Sequence, residues 1–299
     1  MEVLQVDNLS KHYGLIKALD GLSFSVSEGQ VMGILGPNGS GKTTTLGIIL
    51  GVLNQNSGSY TWFENKYGDK HRLQIGAILE TPNFYPYLNA EQNLDIVRQI
   101  KRVDNKNFDS LLDLVQLSER KKSPFRSYSL GMKQRLAIAA TLIGDPKIVI
   151  FDEPTNGLDP QGIAEVRSVL KDIASRGRTV IMASHILDEV EKICSHVTIL
   201  KKGKILSSGP VGSILSDNVT IEIGAENRDT LVKFLETYPG IISVKLTGNH
   251  LECKADESIL IAELNKKAIS SDIKINHLIA RKSRLEEEFL EIVKGHKSN

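Results

Sequence analysis

The residues most suited to chemistry form a glycine-rich segment, GPNGSGKTT at Gly36–Thr44, which matches the pattern G-x-x-x-x-G-K-[ST]. It follows the apolar run Val31–Leu35 and precedes a helical pattern at Thr43–Leu53. A strand, a glycine loop and a helix in this order place backbone N–H groups and a helix N-terminus around one anion. The segment therefore predicts a site for the phosphates of a nucleotide. A strand–turn–helix without a ligand is the weaker alternative.

The side chains of this loop suit different tasks. Lys42 can reach the β- and γ-phosphates as a compact cation, and the Thr43 hydroxyl can ligate Mg²⁺. The glycines permit backbone torsions and a close approach that a side chain would block. The residues predicted to contact the nucleotide are Gly36, Pro37, Asn38, Gly39, Ser40, Gly41, Lys42, Thr43 and Thr44.

A pair of acidic residues follows a second apolar run, Ile148–Phe151. The run is rich in β-branched residues and predicts a buried parallel strand. Such a strand carries Asp152 and Glu153 to the carboxyl edge of the sheet, where open α/β sheets bind ligands. Asp152 can then hold a metal or its water, and Glu153 can polarise an attacking water. Without the glycine loop, a solvated acidic pair would be the better interpretation.

Two further segments complete the pattern, YSLGMKQR at Tyr128–Arg135 and IVIFDEPTNGLD at Ile148–Asp159. With them, the chain resembles the nucleotide-binding subunit of an ATP-binding cassette (ABC) transporter over roughly residues 2–215. The resemblance implies ATP and Mg²⁺ as ligands and Glu153 as the residue that assists hydrolysis.

The same resemblance gives roles to residues that would otherwise be unremarkable. Tyr13 would stack on adenine, and His185 would be a switch residue that contacts the γ-phosphate. Ser129 and Gly131 would face the γ-phosphate held by a second subunit, and Asp159 would link the two sites across the dimer. By themselves, Tyr13 is an ordinary strand tyrosine and His185 a polar residue at a strand end.

Two departures from the family pattern are informative. Leu130 and Met132 replace a glycine and a glutamine of the usual L-S-G-G-Q segment, whereas the phosphate-facing serine and second glycine remain. Glu80 replaces the usual glutamine that connects the metal site to the membrane subunit. A carboxylate can bind Mg²⁺ through oxygen, so Glu80 is a predicted metal ligand beside Thr43 and Asp152. Both departures resemble the ATPases of bacitracin-resistance and lantibiotic self-protection exporters.

The composition limits the alternatives. The chain has 299 residues, a net charge of +1 and two cysteines. The near-neutral charge gives no attraction to nucleic acid, and the few cysteines favour a reducing cytoplasm over a disulfide framework. No signal peptide is evident and no run approaches the roughly 20 apolar residues of a membrane span. Any transport path must therefore be formed by another chain.

The predicted architecture is an α/β P-loop NTPase fold of ABC type at residues 1–215, with a mixed sheet and a helical subdomain at about 88–140. Leu73–Leu79 is expected to be one of its strands. Residues 216–299 predict a small α+β domain, since their β-α-β-β-α-β order suggests a ferredoxin-like sandwich. This domain is expected to end in a charged helix, Ser283–Gly295. It could regulate, stabilise a dimer or be passive.

These features predict the ATPase subunit of an exporter. Two copies would enclose two Mg-ATP molecules and act on a separate polytopic permease, at the inner face of the cell membrane. The aromatic loop Thr81–Asn89 would form one wall of a groove for the permease, unless its rings only pack under the helical subdomain. The alternative is a soluble ABC ATPase acting on ribosomes or DNA, but neither a second cassette nor a long coiled coil is visible. A nucleotide switch that hardly hydrolyses is a third possibility, which Glu153 and His185 disfavour.

Overall fold

A computed structural model describes residues 1–79, 83–214, 218–248, 250–256 and 259–282. The chain divides into two compact units, Met1–Val211 and Gly212–Asn299. The sequence analysis places this division after residue 215, within a turn-rich segment.

The first unit contains strands of two sheets and the helices that cover them. Its strands are β1 (Glu2–Tyr13), β2 (Ile16–Ser27), β3 (Val31–Leu35), β4 (Ser57–Trp62), β5 (Ile75–Ile78), β6 (Ile148–Asp152), β7 (Thr179–Ser184), β8 (His196–Lys201) and β9 (Lys204–Pro210). Its α-helices are α1 (Lys42–Ile49), α2 (Ala90–Lys101), α3 (Asp109–Leu114), α4 (Leu130–Thr141), α5 (Pro160–Ser175) and α6 (Leu187–Ile193), with α7 (Val211–Ile214) at the division between the units.

The larger sheet has the strand order β5-β6-β7-β3-β8-β9. All neighbours are parallel except β8 and β9, which form an antiparallel hairpin. Every residue of β3, β6 and β7 is buried, as expected for strands covered on both faces. β3, β6 and β7 are adjacent, so the segments that follow their carboxyl ends meet at one edge of the sheet. The predicted mixed α/β sheet is confirmed.

A smaller antiparallel sheet has the order β2-β1-β4. Its inward apolar side chains share one core with α1 and with the central strands β3, β6 and β7. Leu46, Ile48 and Ile49 of α1 are completely or almost completely buried in this core. The helix that follows the glycine loop is therefore fixed between the two sheets, which holds the loop itself in place.

The predicted helical subdomain corresponds to α2, α3 and α4. α2 begins with a capping box, in which Asn89 accepts from the Gln92 N–H and the Gln92 side chain accepts from the Asn89 N–H. α4 is buried along its last eight residues but exposed at its start. Its N-terminus, with Ser129 and Leu130 of the YSLGMKQR segment, is consequently at the surface.

The predicted strand Leu73–Leu79 is wrong in its first part. Gly68–Gln74 forms a 3-10 helix, and β5 begins only at Ile75. Leu73 is 60% exposed, whereas Gly76 and Ile78 of β5 are buried, so Leu73 does not continue the buried face of that strand. A run of turn-forming and charged residues before Leu73 favours the helical turn over the strand.

The second unit has its own sheet and core. Its elements are β10 (Asn218–Ala225), α8 (Arg228–Thr237), β11 (Ile241–Thr247), β12 (His250–Asp256), α9 (Ile261–Ser270) and β13 (Ile275–Lys282). The antiparallel sheet has the order β11-β12-β10-β13, the arrangement of a ferredoxin-like sandwich. Both helices pack on one face, where Leu231, Leu235 and Leu264 join a separate apolar cluster. The helix expected at 283–295 lies outside the described residues.

Candidate functional site

The glycine loop joins the end of β3 to the start of α1 and has no room for side chains at two points. A Cβ on Gly36 would lie 2.4 Å from the Leu200 carbonyl oxygen, and one on Gly41 would lie 2.7 Å from the Ala18 carbonyl oxygen. Gly41 also has a φ of 109°. Both glycines are therefore required by the packing of the loop against neighbouring backbone.

The rest of the loop divides into an exposed and a buried part. Pro37, Asn38 and Gly39 are exposed, whereas Ser40 is buried. The Ser40 carbonyl accepts a hydrogen bond of 3.0 Å from the Gly203 N–H, at the β8–β9 turn. The loop thus presents its tip to solvent while its base is held by the adjacent hairpin.

Lys42, at the first position of α1, points back into the loop. Its ammonium group donates to the Gly36 carbonyl at 2.8 Å and lies 3.4 Å from the Pro37 carbonyl. The residue is only 5% exposed. A buried ammonium group needs oxygen partners, and a phosphate group in the loop would compete for the same three N–H donors.

Glu153, the first residue after β6, connects Lys42 with His185. Its Oε1 lies 3.2 Å from Lys42 Nζ, and its Oε2 lies 2.7 Å from His185 Nδ1. The Glu153 side chain remains 20% exposed. The carboxylate is therefore positioned by two neighbours, next to the phosphate loop and accessible to water. In this position it can act as a general base.

The backbone at Glu153 adds to this positioning. Glu153 has a φ of 48°, in the left-handed region, and its N–H donates to the Ala183 carbonyl at 3.0 Å. A residue of this size adopts that conformation only where its surroundings impose it.

Three oxygen-bearing side chains are the predicted Mg²⁺ ligands. Asp152 ends β6 and is 5% exposed, and Thr43 lies exposed in the first turn of α1, followed by Thr44. Glu80 lies outside the described residues. Among the described residues, no three His, Cys, Asp or Glu side chains converge to hold a metal ion. A hydroxyl, a carboxylate and phosphate oxygens together form the kind of donor set that Mg²⁺ prefers.

Ser129, Gly131 and Asp159 form a second group. Ser129 is the N-cap of α4 and accepts from the Met132 N–H, while Asp159 is the N-cap of α5 and accepts from the Gly162 N–H at 2.9 Å. The two helix N-termini adjoin each other, since a Cβ on Gly131 would lie 3.6 Å from the Gly162 Cα. All three predicted residues line one cavity of about 500 Å³. Two positive helix ends at one cavity favour an anion.

The predicted aromatic contacts lie at the surface. Tyr13, at the end of β1, is 46% exposed, and Lys11 Nζ lies 5.2 Å from its ring centroid. In the aromatic loop, Tyr85 and Tyr87 are exposed, whereas Phe84 packs edge-on against Phe125 at 5.2 Å. Phe84 therefore packs inward, as the simpler of the two interpretations has it, and the two tyrosines remain available to a partner.

Glu189 is a polar residue of this region that the sequence analysis missed. It lies on α6, is only 1% exposed and accepts a hydrogen bond of 2.5 Å from the Thr155 hydroxyl. In the sequence it is one of several charges in LDEVEK, which is typical of a solvent-facing helix side. Nothing in that pattern distinguishes Glu189 from the exposed Glu191.

The fold and the glycine loop together define a nucleoside triphosphatase with its phosphate site at the carboxyl edge of a parallel sheet. Residues 19–156 match the ABC transporter family. The chain is 34% identical over 299 residues to the bacitracin transport ATP-binding protein BcrA of Bacillus licheniformis, covering 98% of each. It is 39% identical over 204 residues to the lantibiotic transport ATP-binding protein SrtF of Streptococcus pyogenes, covering 68% of this chain and 89% of that protein.

A solved structure extends the likeness to the fold. The dimeric ATP-binding cassette MJ0796, in a post-hydrolysis state bound to ADP and Pi, has a TM-score of 0.61 and 25% identity, covering 70% of this chain and 98% of that one. The chain belongs to the family of ABC transporter ATP-binding proteins. It is an ABC ATPase, which couples ATP hydrolysis to transport.

Proposed function

We propose that this ATPase powers an exporter that moves a peptide antibiotic, or another amphipathic compound, through a separate membrane permease. The observation that carries the proposal is the full-length likeness to a bacitracin transport ATP-binding protein. Glu80 and the YSLGMKQR segment support the same conclusion, because both resemble antibiotic-peptide exporters.

In the proposed mechanism, Lys42 binds the β- and γ-phosphates of ATP and Glu153 accepts a proton from the attacking water. His185 contacts the Glu153 carboxylate at 2.7 Å, so it can fix the orientation of the base and lie beside the γ-phosphate. The position of Glu153 between a cation and an imidazole supports this assignment. Positioning and charge stabilisation account for most of the catalysis of phosphoryl transfer.

Mg²⁺ would be held by the Thr43 hydroxyl, by Asp152 and by phosphate oxygens, with Glu80 as an additional ligand. When bound, the ion would neutralise charge on the phosphates. Tyr13 would stack on the adenine ring, and its surface position supports that role.

The catalytic unit would be a dimer in which each ATP lies between the glycine loop of one subunit and Ser129 and Gly131 of the other, with Asp159 linking the two sites. The cavity between the starts of α4 and α5 supports this arrangement, because two helix N-termini and the Ser129 hydroxyl suit a phosphate. The cassette related by fold is itself dimeric.

The permease would be a polytopic membrane protein that contacts the aromatic loop from the membrane side. Within the described residues, the structure contains no helix long and apolar enough to cross a bilayer. Exposed Tyr85 and Tyr87 support a protein contact at this loop, since tyrosine is enriched in such contacts. We therefore place the ATPase in the cytoplasm, at the inner face of the membrane.

The test is to express the chain together with a polytopic membrane protein from its own genome, chosen among the neighbouring genes, in a host sensitive to bacitracin and to a lantibiotic. Increased resistance that requires both proteins, and that Glu153→Gln abolishes, is the expected result. Glu191→Gln, an exposed substitution of the same type, is the matched control. Unchanged sensitivity with normal ATP hydrolysis would reject the cargo class but not the ATPase.

A further inference from the structure

Glu189 lies behind the catalytic edge of the sheet, in contact with both segments that carry the proposed catalytic pair. Its Oε2 accepts from the Thr155 hydroxyl at 2.5 Å and from the Ser184 hydroxyl at 3.3 Å. Thr155 is two residues after Glu153, and Ser184 is immediately before His185. One carboxyl group thus connects the two turns whose side chains meet at 2.7 Å.

The same connection extends to the phosphate loop. The Ser184 carbonyl accepts from the Gly36 N–H at 3.3 Å, and Gly36 is the first residue of that loop. Ser184 therefore contacts Glu189 through its side chain and the glycine loop through its backbone. Through Thr155 and Ser184, the carboxyl group of Glu189 is thus linked to the Glu153 turn, the His185 turn and the glycine loop.

The burial of the Glu189 carboxyl group costs free energy. The residue is 1% exposed, and its Oε1 has no hydrogen-bond partner among the described residues. Desolvation raises the pKa of the Glu189 carboxyl, and the negative charge of Glu153 adds to this rise. The hydrogen bonds from Thr155 and Ser184 and the charge of Arg167 oppose it. A carboxyl group retained in such surroundings is expected to have a specific task.

We propose that Glu189 is a positioning residue for ATP hydrolysis, which holds the Glu153 turn and the His185 turn at the separation that their hydrogen bond requires. It contacts neither the nucleotide nor the reacting atoms. The inference rests on the proposed roles of Glu153 and His185. Besides the contacts of the Glu153 carboxylate with Lys42 and His185, the Glu153 turn is tied to β7 by the bond from the Glu153 N–H to the Ala183 carbonyl.

If Glu189 is a positioning residue, its removal should change kcat and leave the KM for ATP almost unaltered. Glu189→Ala would release both turns while leaving the glycine loop and Lys42 intact. We expect kcat to fall roughly tenfold or more, because small displacements of catalytic groups have effects of that size, whereas the KM for ATP stays near the wild-type value. Glu189→Gln retains an oxygen that can accept from Thr155 and should keep most of the activity.

Thr155→Val tests the same connection with a smaller perturbation, since it replaces only the hydroxyl by a methyl group. It should lower kcat in the same direction, and the double variant Glu189→Ala/Thr155→Val should be no slower than Glu189→Ala, because the two residues act through one contact. Glu191→Ala, on the same helix but exposed, is the control and should change nothing.

The experiment uses the full-length chain, with the thermal midpoint of every variant recorded beside its kinetics. Wild-type kcat in folded Glu189→Ala, or a rise in KM with unchanged kcat, would overturn the proposal. If Glu189→Ala does not fold, Thr155→Val decides, and full turnover there would overturn it. A Glu189→Gln protein as slow as Glu189→Ala would also contradict it. Activity of Glu153→Gln in the same assay would instead refute the proposed base, which keeps the two failures distinct.

Discussion

At the scale of single residues, the proposed mechanism depends on Glu153. Its carboxylate has one oxygen toward Lys42 and the other toward His185, so two neighbours fix its orientation. Such preorganisation is the usual source of catalytic power in phosphoryl transfer.

Glu153→Gln should preserve the shape and hydrogen bonding of this group but remove the base. We expect turnover to fall by roughly 10²-fold or more, with ATP still bound. The bound protein should also accumulate as a dimer on gel filtration, because the step that opens it is slow. Wild-type turnover in Glu153→Gln would remove this residue from the mechanism.

The pKa of Glu189 should make the stability of the folded protein depend on pH. A glutamate ordinarily titrates near 4.5, and burial raises the pKa of Glu189 in the folded protein. The folded state then binds a proton more tightly than the unfolded state, so this group contributes stability at low pH and loses it as the pH rises. Relative to Glu189→Gln, the wild type should therefore become less stable as the pH increases above 4.5.

The measurement is the difference in thermal midpoint between the wild type and Glu189→Gln over a series of pH values. A difference that does not change with pH would mean that the pKa of Glu189 is the same in both states. The pair of wild type and Glu191→Gln, which differs at an exposed carboxylate, should show no such trend.

At the scale of elements, the glycine loop is held by the strands around it. Gly36→Ala would place a methyl group 2.4 Å from the Leu200 carbonyl oxygen and 2.5 Å from Ser40 Oγ. The Leu200 carbonyl belongs to the backbone and cannot rotate away as a side chain can, so the glycine loop itself must move. Overpacking of this kind costs about 1–3 kcal/mol, which corresponds to a loss of roughly five- to 150-fold in ATP affinity if the whole cost falls on the loop.

Isothermal titration of ATP into the variant checks this prediction. Gly212→Ala is the matched control, since a Cβ there would meet no atom within 4 Å. Unchanged affinity in Gly36→Ala would show that the loop can move without cost.

The elements also show what the sequence could reveal. Local patterns with a fixed spacing, such as the glycine loop after β3 and the acidic pair after β6, predicted both the element and the chemistry. Leu73 was misassigned because apolar residues near a strand resemble the strand itself, and only tertiary packing decides which of them is buried. Glu189 could not be identified from the sequence for a related reason. Its partner Thr155 lies 34 residues earlier in the sequence, so no local pattern identifies that contact.

At the scale of the whole molecule, residues of two chains together form each ATP site in the proposed dimer. Lys42→Ala impairs the glycine loop, and Gly131→Asp places a negative charge where a phosphate is expected. Each variant alone should be inactive. A mixture should recover up to roughly a quarter of wild-type turnover, since half of randomly formed dimers are mixed and each has one intact site of two.

The control replaces the Gly131→Asp chain by one that carries both substitutions. Every glycine loop in that mixture is impaired, so no intact site can form and turnover should stay absent. Steady-state ATPase assays of the two mixtures give the comparison. Full inactivity in both would contradict a site shared between subunits.

The two units of this chain have separate hydrophobic cores, one formed around α1 and the other around Leu231, Leu235 and Leu264. Among the described residues, each of these two clusters is built from side chains of its own unit, so a lineage could alter or lose the C-terminal unit without opening a cavity in the core of the ATPase. The comparisons fit such modular descent, because the bacitracin transport relative aligns over 98% of this chain, whereas the lantibiotic transport relative aligns over 68% of it and yet uses 89% of its own length. The C-terminal unit is thus the part of the molecule in which related ATP-binding proteins can diverge while the core of the ATPase keeps its own packing.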